Sequence, residues 1–178
     1  PVDGSDKNSI SSEYNITHLL ISSNNPYIQS GYGLIAYYPF DDSTVDNLAY
    51  DYTTDNRHAL RVGGSIVGGI NAFYGSAFSS DGNGDYVKVN NSDGTDFNVT
   101  KRFSMTAWVN FNNNETRQTI LARNSSYLYL DSDGAIKADV EGATCTSPDA
   151  NGNVDTGNWH FLTLTVSYDD AGTSANVI

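Results

Sequence analysis

Only one cysteine, Cys145, stands in 178 residues, so the chain can form neither an internal disulfide nor a four-cysteine metal site. Basic charge is scarce as well: 9 Lys and Arg face 21 Asp and Glu, a formal net charge of −12. Affinity for a phosphate backbone comes mainly from clustered Lys and Arg. Nucleic acid and anionic membrane surfaces are therefore excluded as expected partners. No apolar run approaches the roughly 20 residues of a membrane-spanning helix. Pro1 opens the chain without a basic and then apolar leader, which reads as a processed or truncated start. Glutamate is limited to Glu13, Glu115 and Glu141.

Neutral hydrogen-bonding side chains fill the space. Ser (20), Thr (15) and Asn (20) make up 55 residues, and Thr and Tyr among the polar residues favour pleated, half-exposed strands. With 21 aromatic residues there is enough to bury, so disorder is not expected, and the length suits one domain. N-glycosylation sequons begin at Asn15, Asn90, Asn98, Asn114 and Asn124. Chance alone gives about four at this composition. The Asn/Ser/Thr-rich, Lys-poor composition is thus the better reason to expect an extracellular or cell-surface location, with N-linked glycans as possible attachments.

Residues 1–8 are small, polar and acidic and read as a mobile end. A period-two pattern then places Ile10, Tyr14, Ile16 and Leu20 on one face of a strand, with Glu13, Asn15 and Thr17 on the other. Ser22 to Gly33 is tether chemistry, rich in Ser, Asn and Gly. The expected organisation is an extension over 1–33, with a donor-like strand over about 10–22 and a tether over 22–33, followed by a domain over 34–178. That domain reads as short strands at 34–40, 58–62, 65–70, 85–90, 103–111, 119–123, 126–131, 135–140, 159–168 and near the end. Turn clusters such as Asp81-Gly-Asn-Gly and Ser132-Asp-Gly separate them. The predicted fold is all-β, an antiparallel two-sheet jelly-roll sandwich with an extra N-terminal strand on a flexible tether.

From GLIAYYPFDD (33–42) onward the chain resembles a known family. DNRHALRV is similar to its polar-turn-then-strand segment, YGSAFSSDGNGDYVKV to a strand pair around a turn, and RFSMTAWVNF to its "FTISAWV" strand. ILARNSSYLYLDSDGAIKADV resembles its central hairpin, and TGNWHFLTLTVSY its "WHHVA.T" strand. These six consecutive matches resemble the laminin-G-like jelly rolls of the concanavalin A-like lectin and glucanase group. The resemblance implies further strands beyond the "WH" strand, so either the chain is a fragment or a strand from elsewhere fills the gap.

Retaining glucanases on this fold need two carboxyl groups roughly 5 Å apart. Among the three glutamates, Glu141 has the right alternation with Asp139, but at the end of a hairpin and without a third acid, so no enzyme is expected. His18, His58 and His160 have no Ser or Cys elbow nearby and read as packing or surface residues. The resemblance implies calcium as a possible cofactor; Asp81, Asn83 and Asp85 are the candidate ligands, because alternate spacing lets their oxygens converge. The competing reading of those residues is a plain hairpin turn. Sugar binding needs exposed aromatic rings: Tyr37, Tyr38, Tyr50, Tyr52, Tyr127 and Tyr129 are available, while Trp108 and Trp159 are expected in the core.

A surplus strand at one end and a sheet short of strands at the other lead to an extracellular filament subunit. In it Ile10, Tyr14, Ile16 and Leu20 of one copy complete the sheet of the next copy, head to tail. The alternatives are a carbohydrate-binding or adhesion module of a larger secreted protein, and a first strand folding back on its own domain.

Overall fold

The computed structural model describes residues 33–41, 46–68, 71–90, 102–123, 125–147, 154–169 and 172–177. Among them are twelve strands: β1 (Leu48–Ala49), β2 (Ala59–Val62), β3 (Ser65–Gly68), β4 (Ser76–Ser79), β5 (Tyr86–Val89), β6 (Arg102–Asn110), β7 (Gln118–Arg123), β8 (Ser126–Leu130), β9 (Ile136–Val140), β10 (Ala143–Thr146), β11 (Trp159–Asp169) and β12 (Gly172–Val177). All their pairings are antiparallel, so the chain is all-β as the sequence predicts. The N-terminal strand and tether lie outside the described residues. The chain divides into two compact units, residues 1–97 and 98–178.

In the first unit β1, β2 and β5 form one sheet in the order β1-β2-β5, and β3 and β4 form a two-stranded sheet. Gly63 and Gly64, both at positive φ, turn the chain from β2 to β3. A Cβ on Gly64 would lie 2.5 Å from the Phe78 ring, so the turn and the close approach both require glycine there.

Leu34–Phe40 was expected to be a strand, yet it joins no sheet among the described residues. A side chain holds it instead. The fully buried Asp51 carboxylate accepts from Tyr37 N (2.9 Å) and Thr53 N (2.9 Å) through Oδ1. Through Oδ2 it accepts from Thr53 Oγ1 (2.7 Å) and Arg57 N (2.9 Å). Tyr52 N donates to Tyr37 O and Arg57 Nη1 to Ile35 O. Pro39 lacks a ladder donor and Phe40 sits at φ 61°, which together end the extended run.

The second unit is a sandwich of a four-stranded sheet, β10-β9-β8-β7, and a three-stranded sheet, β12-β11-β6. Leu128, Leu130, Ile136, Ala138 and Val140 from the first sheet meet Leu162, Leu164, Val166 and Val177 from the second in one core, closed by Phe111. Strict alternation in β11 places Leu162, Leu164 and Val166 inside while Phe161 and Thr165 face out. A bulge between Thr119 and Leu121 lets the consecutive residues Ile120 and Leu121 both pack against the core.

The Asp81–Gly84 turn also differs from expectation. It does not close a hairpin, because β4 pairs with β3 whereas β5 pairs with β2. The turn therefore carries the chain from one sheet to another. Neither β1 nor β10 was anticipated; two and four residues give too short a pattern to read.

Candidate functional site

The outer face of β6 and β11 is built by alternation. Phe103, Met105 and Val109 pack on the core, which turns Arg102, Ser104, Thr106 and Trp108 outward. Antiparallel register sets Trp108 opposite Phe161, Thr106 opposite Thr163, Ser104 opposite Thr165 and Arg102 opposite Ser167. Trp108 is 46% exposed and Phe161 53%, with ring centroids 5.2 Å apart and planes tilted by 46°. The Ser104 and Thr165 hydroxyls are 3.2 Å apart. Trp108 is thus not a core residue, as its mid-strand position suggested. It shares the parity of Ser104 and Thr106, and that parity was the signal available in the sequence.

This face differs chemically from the outer face of the four-stranded sheet. There Asp139 accepts from Thr144 Oγ1 (2.6 Å), Tyr129 Oη (3.1 Å) and Arg117 Nη2 (3.2 Å). Arg117 lies over the Tyr129 ring at 3.8 Å, which buries the ring. The Thr144 hydroxyl, followed by Tyr129 and Arg117, holds the Asp139 carboxyl below its ordinary range. Lys137 Nζ sits 2.6 Å from both Asp131 and Asp133, raising the amine and lowering both acids. Glu141, at φ 50°, lies in the turn after β9, so the Asp139/Glu141 strand alternation does not form.

The three candidate calcium ligands do come together in one turn, where main-chain donors take one oxygen each of Asp81 and Asp85. Asp85 Oδ2 accepts from Asp81 N (2.8 Å), and Asp81 Oδ1 accepts from Asn83 N (2.7 Å). That backbone bond from Asn83 is the main cause of the lowered Asp81 carboxyl. Among the described residues no group of three His, Cys, Asp or Glu is arranged to hold a metal ion.

Of the sequon asparagines, Asn90 is exposed at the end of β5. Asn114 is half-buried and its amide donates to Val154 O at 2.9 Å. Asn15, Asn98 and Asn124, together with Ile10, Tyr14, Ile16 and Leu20, lie outside the described residues. His58 Nδ1 accepts from Asp51 N at 3.1 Å, and His160 Nε2 lies 2.8 Å from Asp155, both with structural partners. Tyr38 is tied to Arg57 O, and burial, with Asp51 nearby, holds its phenol well above the ordinary value. Tyr37 and Tyr127 are exposed, whereas Tyr129 is buried. Burial likewise raises the Cys145 thiol.

The concanavalin A-like lectin/glucanases superfamily matches residues 81–177, more than half of the chain, and the chain belongs to this family. No curated protein and no solved structure matches it. Among the described residues no helix is long and apolar enough to cross a membrane.

Proposed function

We propose that this chain is an extracellular carbohydrate-binding or adhesion module that holds its ligand on the outer face of β6 and β11. One observation carries the reading: Trp108 and Phe161 form an exposed aromatic pair, continued along the strands by rows of hydroxyls. The apolar face of a pyranose stacks on such rings, and its rim hydroxyls match Thr106, Thr163, Ser104 and Thr165. Family membership supports binding of this kind. Binding is favoured over hydrolysis because Asp139, the strand member of the expected carboxylate pair, is engaged by three neighbours and Glu141 lies in the turn beyond its strand. The test is a glycan array probed with the wild-type chain and Trp108→Ala. The reading expects binding that the variant loses; equal signals from both would refute it.

A second reading is strand donation between copies, giving a filament. β12 pairs with β11 only over Leu164–Asp169, and no described strand runs beside Phe161–Thr163 on that side. Such an edge suits an added strand, and the apolar face of Ile10, Tyr14, Ile16 and Leu20 suits the donor. Sedimentation of the wild type and Ile16→Asp decides it: fibres lost in the variant support donation, while a monomeric wild type ends it. No calcium is needed in either reading, though Asp81, Asn83 and Asp85 remain the residues that would supply oxygens.

A further inference from the structure

We infer that the β6–β11 face takes a single, soluble, electrically neutral glycan chain lying along the strands, an inference that rests on the carbohydrate reading above. Ring geometry sets the form of the ligand. A crystalline polysaccharide surface is flat and demands coplanar rings, whereas Trp108 and Phe161 are inclined at 46° with centroids 5.2 Å apart. Two such rings cannot lie on one plane. Set opposite each other across the two strands, they can cradle one unit of a single chain whose further units run over the hydroxyl rows toward Arg102 and Ser167.

Charge sets its class. The eight outward positions formed by Arg102, Ser104, Thr106 and Trp108 with their four β11 partners include no carboxylate and one cation. On the opposite sheet the outer face carries charge of both signs, with Arg117 paired to Asp139 and Lys137 paired to Asp131 and Asp133. Uronate or sulfated chains would meet one arginine against a net charge of −12, which repels polyanions. A neutral chain meets no such field. Length follows from the strands: from Arg102 to Trp108 the face runs about 20 Å at ~3.3 Å per residue, enough for several sugars.

Three probe sets test this on the full chain: soluble neutral oligosaccharides of two to eight units (β-1,4- and β-1,3-linked glucose, mannose and galactose series), microcrystalline cellulose, and polygalacturonate. The expected result is binding to a neutral soluble series, with affinity rising until the chain spans the face and then levelling. Truncating either ring should weaken it about tenfold or more, as for a buried aromatic anchor. Trp108→Phe should recover part of the affinity at an unchanged melting temperature, separating lost stacking from misfolding. Binding to cellulose or polygalacturonate that depends on Trp108 would overturn this inference and leave the carbohydrate reading standing. Failure of all three sets to bind would overturn both.

Discussion

Trp108 and Asp51 show how differently two residues contribute. Trp108 is half-exposed and its ring meets Phe161 across the strands, so Trp108→Ala removes a cross-strand pair worth about 1 kcal/mol. The melting temperature should fall by only a few degrees in a scanning calorimeter. Asp51 gathers four donors in a fully buried position. Replacing it with Asn points an amide N–H at donors on one side, which leaves buried groups unpaired at about 1–3 kcal/mol each. Asp51→Asn should therefore be more destabilising than Trp108→Ala in urea unfolding, and the reverse order would show that the Leu34–Phe40 segment is held by something else. Asn114→Ala loses the hydrogen bond that the Asn114 side-chain amide donates to Val154 O.

At the scale of elements, the four-stranded sheet carries a pH dependence whose sign is fixed by its acids. Asp131, Asp133 and Asp139 all have lowered carboxyl values, chiefly through Lys137 for the first two and Thr144 for the third. A lowered folded value means the folded state binds the proton less readily than the unfolded chain. Their contribution is thus complete above the ordinary carboxylate value of about 4 and fades as pH falls through the lowered values. Melting temperatures measured from pH 6 to pH 2 should hold steady and then drop, with a shallower drop in Asp139→Asn. In the Asp81–Gly84 turn, Asp85→Ala removes the acceptor for Asp81 N and should cost about 1 kcal/mol, equally with calcium or with chelator. A loss seen only with calcium would make Asp85 a ligand in place of a turn brace.

Strands with long alternation were legible in the sequence for a physical reason. Phe103, Met105, Ala107 and Val109 repeat at the pleat's own period, and Leu162, Leu164 and Val166 do the same. Leu34–Phe40 misled because its apolar run is fixed by the distant Asp51 carboxylate, a contact that no local pattern announces. The candidate site was only half legible. The tyrosines read as sugar platforms, but the mid-strand position of Trp108 suggests the core, although its parity with Ser104 and Thr106 points outward.

For the whole molecule, membership of the concanavalin A-like lectin/glucanases superfamily and an aromatic, hydroxyl-lined face on a strongly acidic chain combine into one account, ligand recognition on a sheet surface. Its core should be as sensitive as any close-packed interior: Leu128→Ala is expected to cost about 2–5 kcal/mol in denaturant unfolding, because both sheets of the second unit press on that side chain. The most direct test of the central claim is calorimetric titration of a neutral oligosaccharide into four proteins: wild type, Trp108→Ala, Phe161→Ala and Leu60→Ala. Leu60 is an exposed apolar residue of β2, in the first unit, and serves as the control. The account predicts that the two ring truncations each weaken binding about tenfold or more while Leu60→Ala binds like wild type. Unchanged affinity in both ring variants would contradict it.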